Sequence, residues 1–291
     1  MPNRRGVLAF LTLTALLSWP WWFLEHVVLG WSMVNPLVQL PTAFAPALAA
    51  IIVRRWVTGE RDVSSAPRLR QSWRWYLAAW LGPFAVTAGA LALAALLGLW
   101  PADLAPLGAG AFLLPVIVLI LLPVYWGEEF GWTGYLRPRL VPGHPLAGAV
   151  LTGLLWAVWH YPLAFLGYIE FPHLVLGLAV WTGSFVLQQV VLTQLYLGGG
   201  TVWVAALAHS GNNMVIGLVL GTLLIDHGSL GDVSTMLLTA GPLALGSLAL
   251  AAGLRRAGAV RPDRGVELLA PPTRSPRSGF RPPPASGLPG G

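Results

Sequence analysis

The sequence predicts an all-α, polytopic membrane protein of about eight transmembrane helices enclosing an intramembrane catalytic cavity. Of its 291 residues, 56% are hydrophobic and only 10% charged, against about 25% charged in an ordinary soluble domain. Such a chain cannot cover itself with charge in water. Apolar runs recur along residues 1–256, each near the ~20 residues needed to cross a hydrocarbon core about 30 Å thick. The 17 basic residues are all Arg, and they fall in alternate connections between the runs.

The predicted spans cover residues 7–24, 36–53, 75–99, 111–135, 147–167, 173–196, 201–222 and 233–254. Arg4 and Arg5 before the first span resemble the start of a signal peptide. Ser18-Trp19-Pro20-Trp21-Trp22 is too bulky for a small-residue cleavage site, so this is an uncleaved helix ending in an interfacial aromatic belt. The fourth span is apolar as far as Gly127 and then carries Glu128 and Glu129. Phe130, Trp132, Tyr135 and Leu136 continue it toward Arg137, which should lie at the cytoplasmic surface. Residues 1–256 form the membrane-embedded domain, with a motif core at 111–215. Residues 257–291, rich in Pro, Gly and Arg, lack the apolar residues for a core and read as a disordered cytoplasmic tail.

Orientation follows from the Arg. Arg54, Arg55, Arg61, Arg68, Arg70 and Arg74 fill the second connection, Arg137 and Arg139 the fourth, and Arg255 and Arg256 follow the eighth span. The opposite loops hold Glu25, Asp103, Glu170, Asp226 and Asp232 and no Arg. By the positive-inside rule both termini are cytoplasmic in a cell membrane. The Ala-, Gly-, Leu- and Arg-rich composition points to a GC-rich bacterial genome. The net charge of +6 therefore reports topology, and no basic stripe with interleaved aromatics points to a nucleic-acid partner. With no Cys in the chain, disulfides, thiolate metal sites and a cysteine nucleophile are excluded.

Ionisable groups within a membrane cost about 2.5–3.5 kcal/mol each on insertion scales and mark function. Three places carry such groups. Glu128 and Glu129 point about 100° apart on a helix and need different partners. His160 lies deep in the fifth span, with Trp156 one turn before it on the same face. In the seventh span His209 and Asn213 are four residues apart and share a face, while Asn212 points elsewhere. Each has a plainer reading: a span ending before the two acids, a satisfied core histidine, or His and Asn gluing helices together. Counted at 1.5 Å per residue, all four of Glu128, His160, His209 and Asn213 fall about 12–20 Å below the cytoplasmic surface, where one cavity could gather them.

Glu-Glu with Gly-Tyr-Leu beyond it, Trp-x-x-x-His-x-Pro and His-x-x-x-Asn, in three separate spans, resemble the CAAX protease and bacteriocin-processing (Abi) family of intramembrane proteases, over roughly residues 75–215. The resemblance implies an intramembrane peptidase acting on a membrane-associated peptide or lipidated protein, with Glu128, Glu129, His160, His209 and Asn213 as its site and membrane lipids as its surroundings. The chain departs from the family where an Arg usually follows five residues after the first Glu. Thr133 stands there and cannot neutralise Glu129, so Glu129 needs another partner, and Arg137 is two turns away.

Residue types support a mechanism. Without a Ser or Cys nucleophile, hydrolysis needs an activated water. Glu128 is the best general base, His160 can orient the water or shuttle its proton, and His209 and Asn213 can donate to the oxyanion. Glu129 supports them. No cofactor is favoured. Should zinc be used, Glu128, His160 and His209 would hold it, although no His-Glu-x-x-His motif is present. Two other classes compete. A proton-coupled transporter would use buried Glu and His but should have paired inverted halves, which the sequence lacks. A bacteriocin-immunity or adaptor protein would keep the fold without catalysis, and Thr133 is the feature that favours it.

Overall fold

The computed structural model describes residues 4–33, 36–60 and 66–257. The predicted tail, apart from Ala257, lies outside them, as does Arg61. The protein is an all-α multi-pass membrane protein. Seven helices are long and apolar enough to cross a bilayer: α1 (Arg4–Val28), α2 (Val38–Thr58), α3 (Leu69–Leu96), α5 (Pro145–Phe165), α6 (Leu174–Gly199), α7 (Val202–Asp226) and α8 (Asp232–Arg256). The predicted fourth span is a bent pair, α4a (Ala109–Ile120) and α4b (Leu122–Leu140), which meet at 48°. With α4 taken as one span the count is eight.

The bend has a local cause. Pro123 has no N–H to give the Leu119 carbonyl one turn back. On the neighbouring α7 the Ser210 hydroxyl donates to the Val118 carbonyl at 2.8 Å, giving a bond to a polar backbone atom in a region without water. Beyond the bend α4b runs on past both glutamates to Leu140, as the aromatic residues after them predicted.

Helix α4b lies between α2 and α7, and its sequence explains the sandwich. Gly127 and Gly131, four residues apart, face α2. A Cβ at Gly131 would stand 2.4 Å from the Pro46 Cβ, and one at Gly127 2.7 Å from the Ala43 carbonyl oxygen. This is the close backbone approach that small residues at i and i+4 allow between membrane helices. With those glycines turned to α2, Glu129 and Thr133 face away from it. Helix α7 packs against α3, α4b and α6, and α6 also packs against α5 and α8.

Two charged residues differ from expectation. Glu25, placed in an outer loop by the sequence, is fully buried at the end of α1. A π-helical turn over Leu24–Val28 carries the helix past it. Arg137, placed at the cytoplasmic surface, is only 4% exposed. Its guanidinium lies 4.9 Å from the Tyr196 ring centroid and its Nε donates to the Thr133 carbonyl at 3.3 Å, so it makes a cation–π contact within the protein.

Candidate active site

Helices α4b, α5 and α7 bring three of the singled-out polar groups around one side chain, Trp156. The Trp156 Nε1–H donates to Glu128 Oε2 at 3.1 Å. Its ring centroid stands 5.0 Å from the His209 ring and 5.5 Å from the His160 ring, both edge-on. Glu128 is 8% exposed, Glu129 fully buried and His209 3% exposed. Neither glutamate is solvated, so the reading in which the span ends before them does not hold.

His160 is the last residue of the regular part of α5, before a 3-10 turn over Tyr161–Phe165. Its Nδ1 lies 2.9 Å from the Trp156 carbonyl. A carbonyl can only accept, so the proton sits on Nδ1 and Nε2 is left with its lone pair. The ring stacks on Phe185 at 4.4 Å and meets Trp159 edge-on at 4.6 Å. These aromatic faces fix its plane.

Glu129 faces a different set of groups from Glu128, as their angular separation predicted. Its Oε1 is 3.0 Å from His209 Nδ1, and its Oε2 accepts from the Thr133 hydroxyl at 2.5 Å. Thr133 in turn accepts from Gln189 Nε2 of α6 at 2.8 Å. Thr133 therefore does hold Glu129, by a hydrogen bond, while His209 is the group that can supply the opposite charge. Arg137 does not reach the carboxylate.

On α7 the helix is π-wound over Asn212–Gly217, starting three residues after His209, a distortion common at functional sites. Tyr125 joins the two sides. Its ring lies 4.8 Å from that of His209, and its hydroxyl is in polar contact with the Asn213 side chain. Both Asn212 and Asn213 line a cavity of about 520 Å³ between α6, α7 and α8, with Ser184, Gln188 and Asp232 among its polar walls. Asn212, expected to point away from the face shared by His209 and Asn213, lines the cavity beside Asn213, while His209 lies outside it. Of the predicted site residues only Asn213 borders this cavity. Glu128, His160 and His209 lie outside it, around Trp156.

A zinc ion would need three protein ligands and an open position. Among the described residues no three His, Cys, Asp or Glu side chains are grouped to hold one.

Three contributors escaped the sequence reading. Trp156 was noticed only as a neighbour of His160, yet it touches three of the polar groups. Tyr125 and Gln189 gave weaker signals. Gln189 is a fully buried amide in an apolar helix, and Tyr125 reads as an interfacial aromatic.

Comparison with known proteins bears on this arrangement. Residues 109–215 match the family model described as Type II CAAX prenyl endopeptidase Rce1-like. A CAAX prenyl protease 2 from Methanococcus maripaludis is 34% identical over 70 residues, 24% of this chain and 25% of the relative. The alignment thus spans about a quarter of that relative's length. The matched stretch begins with α4a and ends within α7, and contains Glu128, Glu129, His160, His209 and Asn213, so the resemblance read from the motifs is borne out over the core of the chain.

Proposed function

We propose that this chain, a multi-pass membrane protein with an Rce1-like core, is an intramembrane endopeptidase that hydrolyses a peptide bond of a membrane-associated substrate. The observation that carries the reading is the meeting of Glu128, His160 and His209 around Trp156, inside the matched stretch.

The roles follow from which atoms are already engaged. Trp156 occupies one oxygen of Glu128 and the Trp156 carbonyl occupies His160 Nδ1. That leaves the second oxygen of Glu128 and Nε2 of His160 to bind one water. Glu128 takes a proton as the water oxygen bonds to the scissile carbonyl carbon. The carbonyl oxygen becomes an oxyanion, to which we assign His209 Nε2–H as donor and, from its place one turn beyond His209 in the sequence, the Asn213 amide. The C–N bond then breaks, and the proton held by Glu128 passes to the leaving amine, directly or through His160. No step is routed through a metal.

The test is direct. The protein, purified in detergent, is offered a quenched farnesylated peptide and a peptide library. Wild type should cleave at least one substrate, and Glu128→Ala should lose about 10²–10⁴-fold in rate. Equal inactivity of the two on every substrate would remove the protease reading and favour a non-catalytic role. We also place both termini in the cytoplasm, on the Arg distribution. An alkaline phosphatase fused after Arg256 should be inactive and one inserted at Gly228 active, and the reverse pattern would invert the topology.

A further inference from the structure

Gln189 sits in the middle of α6, a 26-residue apolar helix, and is fully buried. A primary amide so placed is costly unless it bonds. Its Nε2 has one partner, the Thr133 hydroxyl at 2.8 Å, and among the described residues its Oε1 has none.

The order of donors along this chain of contacts is constrained. A hydroxyl carries one proton. Because Thr133 accepts from Gln189, that proton is free to go to Glu129 Oε2, where the distance is 2.5 Å. Glu129 Oε1 meets His209 Nδ1 at 3.0 Å. A hydrogen bond received at Oε2 favours the ionised carboxylate; as a carboxylate Glu129 also accepts at Oε1, and the proton of the last link then belongs to His209 Nδ1. Turning the Gln189 amide over would reverse the first two links. Thr133 would donate to Gln189, Glu129 Oε2 would need its own proton to donate to Thr133, and His209 would lose its counter-charge.

We infer that Gln189 and Thr133 are positioning residues: they form a one-way hydrogen-bond relay that keeps Glu129 ionised and holds a proton on Nδ1 of His209, aiming His209 Nε2 toward Trp156 and Glu128. The role of His209 in turnover rests on the protease reading, but the relay itself does not. It also accounts for Thr133, a residue too short to carry charge to Glu129. A two-residue bridge from a neighbouring helix holds the carboxylate in place.

The relay is tested without substrate, by nitrogen NMR of the protein labelled at histidine, with His209 assigned through His209→Gln. Wild type should show His209 as a single species protonated at both Nδ1 and Nε2, the imidazolium whose charge Glu129 balances. Thr133→Val and Gln189→Leu should each mix in the tautomer protonated at Nε2 only, and Thr133→Ser should restore the wild-type signal. A wild-type ring protonated at Nε2 alone overturns the relay, as does a spectrum unmoved by either apolar substitution. If both variants fail to fold, the wild-type spectrum still decides. On a cleavable peptide, Thr133→Val and Gln189→Leu should lower kcat about tenfold with KM unchanged, and Thr133→Ser should recover it. A protein that cleaves nothing but shows the expected signals keeps the relay and loses the protease reading.

Discussion

Helices α7 and α8 have the same length, 25 residues, and both cross the bilayer, yet they meet different surroundings. The most apolar stretch of α8 has a mean hydropathy of 1.7 and is 17% buried within the protein, whereas that of α7 has 1.3 and is 61% buried. The more hydrophobic helix is the one left to lipid. In water the reverse would hold, because apolar surface seeks the protein interior. In a bilayer apolar side chains lose little by facing lipid, so the interior is taken by close packing and by polar groups that need partners. His209, Ser210 and Asn213 lie on α7, whereas the polar side chains that α8 turns inward, Asp232, Thr235 and Thr239, line only the cavity beside Asn213.

That contrast can be broken at several points. Asn213→Ala should cost about 10²–10³-fold in kcat on a cleavable peptide, the usual loss for one oxyanion donor. An unchanged rate would take α7's amide out of the chemistry. Next in size is packing. A Cβ at Gly211 of α7 would stand 2.4 Å from the Pro83 Cγ on α3, and a proline ring cannot swing aside. Gly211→Ala should therefore destabilise by about 1–3 kcal/mol, read as a lower Tm in detergent. Gly246 of α8 has open space at the same point, so Gly246→Ala should be neutral or gain up to about 0.5–1 kcal/mol from its higher helix propensity. Smallest of all, Leu248 of α8 is 68% exposed, and Leu248→Ala should change stability by less than about 0.5 kcal/mol. Equal responses from the two glycines would mean that α8 is as tightly held as α7.

The same contrast accounts for what was legible beforehand. Span number and fold class follow from hydropathy and the Arg distribution, which depend on composition alone. The site residues were legible because an ionisable side chain in an apolar run stands out without knowledge of its neighbours. What escaped detection depends on contact. The cradle around Glu129 needs α6 beside α4b, and nothing in the spacing of Gln189 announces that. Asn212 and Asn213 share a cavity wall that His209 does not line, a pairing the four-residue rule does not anticipate. Glu25 went to the wrong environment because a π-turn prolongs α1 past the point where its apolar run ends. The bend in α4 is different in kind: Pro123 was in plain view, but the sequence alone offers no partner for the carbonyls it strands.

The partner at that bend has a mechanical consequence. Ser210, which holds the Val118 carbonyl, is the residue next to His209, and the stretch it grips, α4a, ends eight residues before Glu128. The kink and the imidazole are thus pinned by adjacent positions on one helix. Were α4a to swing, it would drag the backbone that carries His209 along with it.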